Sequence, residues 1–319
     1  MPMLDTPLTT APIGPSDLIS TRLIYGCMRI ADTWEPGEVT PKRRDEARAA
    51  LRAAVEAGYN HLDNADIYCK GEIETIVGEF LAENPGLREK LIITTKCGVQ
   101  QPNDPPGAPR RFNLSRDHIL ASCVGSLKRL GLETLDLYLL HRPDPLIEPE
   151  EVAAAFDQLR RQGKVRHFGV SNFPIPRLQN LMRAVDMPLV CNQLQISPER
   201  VHLFDDGTLD HLMRLGVQPT AWGPIGGGQF GEGGKVKKDH PHREQMQNAA
   251  DLLDEMAAKR GVSRTAMTLA WLLRHPAGIM PIVGTRTPER IRDAAKADAI
   301  EMSRIDWYRV YEAARGQPA

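Results

Sequence analysis

The sequence predicts an α/β protein, a single (β/α)8 or TIM barrel, with its working face at the C-terminal ends of the strands. Three observations carry this. Short apolar runs alternate with helical patterns eight times along the chain. Such alternation implies a parallel sheet, and eight units within 319 residues favour a closed barrel over an open sheet. Three successive apolar runs also end in titratable residues: 59–62 runs into Asp63, 91–95 into Lys96 and 135–140 into His141. Polar groups at the exits of buried strands face a cleft, which is how a parallel barrel presents its chemistry.

The units follow in order. The Pro-, Thr- and Ser-rich stretch 1–20 reads as an extension or short hairpin over one end of the domain. Strand one is 22–26, then a loop over 28–42 and a helix over 43–57, with Ala47, Ala50, Leu51, Ala54 and Val55 on one side and Gly58 as its stop. Strand two is 59–62, with a helix over 72–83. Strand three is 91–96; a Pro/Gly loop over 98–113 and an N-cap at Ser115 lead into a helix ending at Gly131. Strand four is 135–141, its helix 150–162. Strand five is 165–171, and Pro174 opens a helix to about 185. Strand six is 189–195, with a helix over 208–215; strand seven is 217–222. A glycine-rich loop over 223–234, a helix over 244–260 and a second helix capped by Ser263 precede strand eight at 278–283. Helices over 288–297 and 303–314 complete the chain, the last forming a C-terminal helix and tail over 302–319. No linker interrupts the pattern, so 1–319 is read as one domain.

Composition is that of an ordinary globular protein, 41% hydrophobic and 25% charged, with net charge −1. That balance offers no electrostatic case for nucleic acid or an anionic membrane surface. No apolar run reaches the roughly 18 residues of a membrane helix. The N-terminal stretch has no apolar core of the signal-peptide kind. Five cysteines, an odd number without CxxC or metal-type spacing, suggest free thiols in a reducing cytoplasm. The expected partners are therefore a small-molecule substrate and at most a second copy in a weak homo-oligomer.

Asp63 and Lys96 fall on adjacent strands, and as a pair they read equally as a structural ion pair. Tyr68 and His141 converge on the same rim and tip the reading towards catalysis. A phenol with a pKa near 10 is a weak acid at neutral pH, and a neighbouring ammonium favours its ionised form. Lys96 is therefore expected to lower the Tyr68 pKa. The resulting set is a carbonyl-reduction site: Tyr68 as general acid, Lys96 tuning it, Asp63 holding Lys96, and His141 polarising the carbonyl. The hydride must then come from a cofactor.

At this point the residues resemble the aldo-keto reductases over nearly the whole chain. Asp63 and Tyr68 at spacing five, Lys96 after an apolar strand, and His141 in Leu139-Leu140-His141-Arg142-Pro143 are similar to that family's tetrad. Gly169-Val170-Ser171-Asn172-Phe173, Asn192-Gln193, Trp222-Gly223-Pro224 and Gly284-Thr285-Arg286 match family motifs in order. The resemblance implies NADP(H) extended across the rim of a TIM barrel. It implies that Ser171, Asn172 and Gln193 hold the carboxamide and that Trp222 stacks on the nicotinamide. A helix cap and a core tryptophan are the plainer readings of Asn172 and Trp222. The loop Trp222 to Gly231, with Gly223, Pro224, Ile225, Gly226 and Gly227, is read as amides closing over the pyrophosphate; a flexible surface loop is the alternative. Its formal GxGxxG follows strand seven and not a first strand, so a Rossmann reading is rejected.

Arg286 and Arg290 flank the start of the last barrel helix, where the resemblance implies the adenosine 2′-phosphate, although solvated arginines look the same in sequence. The chain departs from the family at Gly284, where several members place a lysine, and at Ala294, where many have an adenine-contacting Asn; Asp293 is the neighbouring candidate. Cys27 and Met28 after strand one complete the candidate cofactor-facing set, with Trp34 as a possible aromatic substrate contact in the same loop. Cys69 and Cys97 adjoin the tetrad and read as oxidation-sensitive thiols or as small packing residues. The leading reading is an NADPH-dependent reductase of aldehydes or ketones. The alternative keeps fold and cofactor but scarcely turns over, like the regulatory channel β-subunits. A metal-dependent barrel hydrolase is set aside, because strand one carries no HxH.

Overall fold

In the computed structural model, which describes residues 7–318, parallel strands close into a barrel. They are β1 (Ile24–Gly26), β2 (His61–Asp63), β3 (Ile92–Cys97), β4 (Leu135–Leu140), β5 (Val165–Ser171), β6 (Leu189–Gln195), β7 (Gln218–Trp222) and β8 (Met280–Val283). Each pairs with its neighbours in chain order, and β8 pairs with β1 through Ile282–Ile24 and Val283–Tyr25 to close the ring. The helices are α1 (Pro41–Glu56), α2 (Glu72–Glu83), α3 (Arg116–Leu130), α4 (Pro149–Arg161), α5 (Ile175–Ala184), α6 (Thr208–Leu215), α7 (Arg243–Arg260), α8 (Arg264–Leu273), α9 (Pro288–Ala295) and α10 (Arg304–Arg315). The predicted (β/α)8 barrel is what forms.

The boundaries move where local chemistry outranks pattern. α1 starts at Pro41 and not at Arg43, because the Thr40 hydroxyl accepts from the Arg43 amide and Pro41 suits the first turn. Pro174 is the N-cap of α5, one residue outside it. Ser115 and Ser263 cap α3 and α8 as expected, and Ser303, expected as the first residue of the last helix, is instead the N-cap of α10. The loop over 98–113 is partly ordered by a ribbon pairing Val99–Gln100 with Arg111–Phe112. The first strand is shorter than expected at its N-terminal end, and the second reaches Asp63 itself.

Two apolar compartments result. The strands and helices enclose the larger one, where Phe156 of α4 stacks on Phe168 of β5 with ring centroids 4.1 Å apart. The smaller is the barrel interior, with Ile24, Ile92, Leu137, Val190 and Met280 near the strand starts. Ile13 and Leu18 join it from a hairpin formed by Thr10–Pro12 and Ile19–Thr21, which closes the N-terminal end of the barrel. This is the expected hairpin; residues 1–6 of that stretch lie outside the described residues. With that end plugged, polar groups at the strand exits face the opposite rim.

Candidate active site

Parallel pairing sets the exits of β1 to β4 side by side. Asp63 ends β2 in register with Thr94 of β3, and Lys96 projects two residues further along β3. The chain after Asp63 is pinned to β3 by the Asn64 amide to the Thr94 carbonyl and the Asp66 amide to the Lys96 carbonyl. This tight turn brings Tyr68 back over the strand ends. Lys96 is fully buried, and its Nζ donates to Asp63 Oδ2 (2.8 Å), the Asn64 carbonyl (2.7 Å) and Tyr68 Oη (3.2 Å). All three ammonium donors are thereby used, as a buried lysine requires. Gln193 Nε2 donates to the other Asp63 oxygen at 3.0 Å.

His141 follows β4, its amide bonded to the Cys97 carbonyl. Its ring meets Tyr68 edge-on with centroids 5.8 Å apart. Burial, and then the charges of Lys96, Arg142 and Arg110, hold its pKa well below the ordinary value, so the imidazole is neutral. Its Nδ1 is buried without a protein partner. For Lys96, burial opposes the charge, but Asp63 and Tyr68 outweigh it and raise its pKa.

Tyr68 departs from expectation. Its pKa is raised, because burial outweighs the lowering effect of Lys96 and Asp63 adds to the rise. The expected lowering counted the Lys96 ammonium alone and left out the burial of the phenol, the larger effect, and the opposing charge of Asp63. Directly after Tyr68, Cys69 and Lys70 both take positive φ, 46° and 52°, a strained pair for residues with a Cβ. Lys70 is tied to Glu35 at 2.5 Å, and beside Glu35 the half-exposed Trp34 packs edge-on against Tyr68 at 6.3 Å. Cys69 and Cys97 are buried thiols whose pKa values burial raises, which favours the packing reading.

The residues expected around the carboxamide are bonded to one another. Ser171 Oγ donates to the Gln193 carbonyl (3.0 Å), Asn172 Nδ2 to Ser171 Oγ (2.7 Å), and Trp222 Nε1 to Asn172 Oδ1 (2.9 Å). Asn172 takes φ 61°, a left-handed conformation Asn tolerates, which turns its side chain back over the barrel. Trp222 is half-buried at the rim and packs on the barrel-interior cluster.

After β7, Gly223, Gly226, Gly227 and Gly228 all have positive φ, and no atom stands where a side chain on Gly227 or Gly228 would go. Beneath them the loop is anchored by buried Arg264, whose guanidinium donates to the Gly231 and Gly234 carbonyls and to Asp254 at 2.8 Å. The Gln229 side chain bonds Gly226 and Lys237. A loop fixed from below, with exposed small residues above, fits a pyrophosphate better than a merely flexible surface segment does. Pro224 and Ile225 lie within the same turn, and Ile225 accepts from the Gly228 and Phe230 amides.

At the start of α9 no side chain caps the helix, which leaves its amides open to an anion. Gly284 is exposed and leaves the approach clear. Tyr25 Oη donates to the Thr285 carbonyl. Arg286 is already paired, with Glu46 of α1 at 3.0 Å and Asp32 at 2.8 Å, two acids that no local pattern around residues 284–290 reveals. Arg290 is exposed and makes no ion pair among the described residues. Asp293 is bonded to Ser263 Oγ and to Lys296 at 3.2 Å, so its place beside an adenine depends on loosening those bonds. Cys27 is wholly buried beneath the rim and Met28 half-buried in the loop after β1. A nicotinamide dinucleotide therefore fits the donors present: amide-compatible groups at Ser171 to Trp222, glycine amides after β7, and a cation and helix start at its far end.

Pattern reading alone gave no role to Asn64, Asp32, Glu46, Arg264, Arg110 or Arg142. Asn64 holds Lys96 through its backbone carbonyl, a role any residue type fills; the acids and Arg264 act across long chain separations. No group of metal-ligating residues occurs among the described residues, and no helix there is long and apolar enough to cross a membrane.

Comparison with known proteins agrees with this geometry. A family model described as the Aldo/keto reductase family matches residues 22–315. The chain is 38% identical to a 6-dehydroglucose reductase of Novosphingobium aromaticivorans, over 99% of both chains. It is 36% identical to the oxidoreductase YdhF of Escherichia coli, over 97% of both. Its structure is similar to that of the thermostable aldo-keto reductase Tm1743, with TM-score 0.81 and 27% identity over 96% of this chain and 100% of that one.

Proposed function

The chain belongs to the aldo/keto reductase family, an oxidoreductase family that reduces carbonyls with nicotinamide cofactors, and from that membership we propose that it reduces aldehydes or ketones to alcohols with NADPH. The observation that carries the reading is Lys96 Nζ, bonded at once to Asp63 and to the Tyr68 hydroxyl in a fully buried position. NADPH, when bound, supplies the hydride that the carbonyl carbon accepts. This chain's residues supply the proton and the polarisation. Tyr68 keeps its proton at neutral pH and delivers it to the carbonyl oxygen. Lys96 donates a hydrogen bond to the phenolate left behind, and Asp63 and the Asn64 carbonyl hold the ammonium there. The neutral His141 ring carries a single N–H, available to the developing alkoxide without giving up a charge.

Ser171, Asn172 and Gln193 are the proposed carboxamide ligands, with Trp222 as the stacking face. The amides from Gly223 to Gly227 and the α9 start, with Arg286 and Arg290, are the proposed phosphate contacts. The five buried thiols suit a reducing cytoplasm.

The test is NADPH oxidation by the purified chain with 4-nitrobenzaldehyde, ketones and, given its relative's name, sugar aldehydes. Tyr68→Phe is expected to lose about 10²–10⁴ in turnover, the typical effect of removing a general acid, with NADPH still binding. Cofactor binding without turnover on any carbonyl would support the regulatory alternative. A mutant within a few-fold of wild type would remove Tyr68 from the chemistry.

A further inference from the structure

Beside the reacting groups the rim carries two guanidinium groups that no carboxylate answers. Arg142 follows His141 directly and is half-buried, with its Cζ 5.4 Å from the Trp222 ring centroid. Arg110 is exposed where the loop after β3 enters the small ribbon at Arg111–Phe112. Among the described residues neither side chain makes an ion pair or a hydrogen bond. Arg116, Arg129, Arg166 and Arg177 find acceptors, whereas the other unbonded arginines nearby, Arg160 and Arg183, are exposed on the outer faces of α4 and α5 and away from the rim. The nearest carboxylate in sequence, Asp144, is buried and committed to the Leu114 and Leu146 amides.

The two charges also act on each other. Burial, and then Arg110, lower the Arg142 pKa, and both arginines press on His141. Two cations held together at a partly dehydrated rim are unfavourable until an anion joins them. Packing over Trp222 holds the Arg142 guanidinium at the rim, where its donors have no partner among the described residues. That fork geometry suits a carboxylate or phosphate.

We infer that Arg142 and Arg110 form an anion subsite that selects carbonyl substrates carrying a carboxylate or phosphate a short spacer away from the reacting carbon. The spacer is short because Arg142 sits over Trp222 on the same rim, within electrostatic reach of both His141 and Tyr68, so a single ring or a triose chain spans the two. This inference rests on the carbonyl-reductase reading and narrows its substrate class. The near-neutral net charge of the whole chain hides the feature, since the positive charge is local to the rim.

The test compares matched substrates in initial-rate assays of the full chain with NADPH. One pair is 4-carboxybenzaldehyde and its methyl ester; the other is glyceraldehyde 3-phosphate and glyceraldehyde. The anionic member of at least one pair is expected to have a kcat/KM about tenfold or more above its neutral counterpart, mostly through KM. The pair that shows it identifies the anion as carboxylate or phosphate. In Arg142→Gln and Arg110→Gln the ratio within that pair falls towards one. Arg142→Lys retains part of it, and added salt shrinks it in the wild type. Ratios near one for both pairs in the wild type, or ratios the variants leave unchanged, overturn the inference. So does a variant that weakens NADPH in a fluorescence titration while the ratio persists, because the arginines then serve the cofactor. If no carbonyl is turned over, the reductase reading fails by itself. Calorimetric titration with benzoate and with inorganic phosphate then decides the subsite: saturable binding lost in Arg142→Gln supports it, and no binding overturns it.

Discussion

At Tyr68 two opposed effects meet, and their balance decides the form of the acid. Removal of water disfavours phenolate; the ammonium beside it favours phenolate. The first wins because the phenol is buried, and Asp63, at 2.8 Å from Nζ, adds to the rise by offsetting part of the ammonium's field. The phenol thus stays protonated and His141 stays neutral through the neutral range. Reduction is therefore expected to show no acidic limb from His141 between about pH 6 and 9, and to fall only above the ordinary phenol pKa of about 10, as the proton-bearing form is lost. The profile of kcat against pH checks this; a limb near pH 6.5 would return His141 to the imidazolium form. Asp63→Asn supplies the control. Without the carboxylate the Lys96 charge is uncompensated, phenolate is favoured, and the alkaline limb is expected to move to lower pH. An unmoved limb would show that Asp63 does not set the balance.

At the scale of elements, α1 intrudes on the far end of the proposed cofactor cleft. Half-exposed Glu46 of α1 and Asp32 in the preceding loop clasp Arg286. Exposed pairs of this kind contribute at most about 1 kcal/mol, so a phosphate can displace them, but it does so against two negative charges. Glu46→Gln removes one of them. The KM for NADPH is expected to fall about two- to fivefold, with little change for NADH, in line with about 1 kcal/mol of repulsion near a protein surface. Equal shifts for both cofactors, measured side by side, would show that Arg286 does not meet the 2′-phosphate. Arg286 itself was legible, in a turn after a strand and before a helix. Its acidic partners were not, because they come from an element some 240 residues earlier in the chain.

At the scale of the molecule the barrel separates chemistry from support. The C-terminal rim holds the proposed reacting groups, while the opposite end is closed by the hairpin and by an ionic cluster around buried Asp136 of β4. Its oxygens meet Arg88 and Arg166, each at 2.9 Å, and the Ile93 amide at 2.8 Å, while Arg166 and His167 also hold Asp17 of the hairpin turn. Asp136→Ala leaves Arg88 without a carboxylate and Arg166 with Asp17 alone, and is expected to lose about 2–4 kcal/mol of stability, by the usual cost of breaking a buried pair. Turnover at low temperature is expected to remain near wild type. Urea unfolding and a rate assay on the same preparation check both halves; lost activity with unchanged stability would join the two ends of the barrel.

The sequence by itself determined the barrel, the order of its strands and the strand-exit positions of Asp63, Lys96 and His141, with Tyr68 in the loop after Asp63. Each depends on local periodicity or on a residue at a strand's exit, and parallel closure then leaves those exits little freedom in where they meet. Short-range capping shifted only the boundaries, as at Thr40 and Pro174. The tertiary structure alone decided the charge balance. Whether Lys96 acts as a free cation, whether Arg286 is open to a phosphate and whether Arg142 goes unanswered all depend on which distant side chains arrive within a few ångströms. Electrostatic energy varies with that distance and with the water left between the charges, and neither quantity is written along the chain.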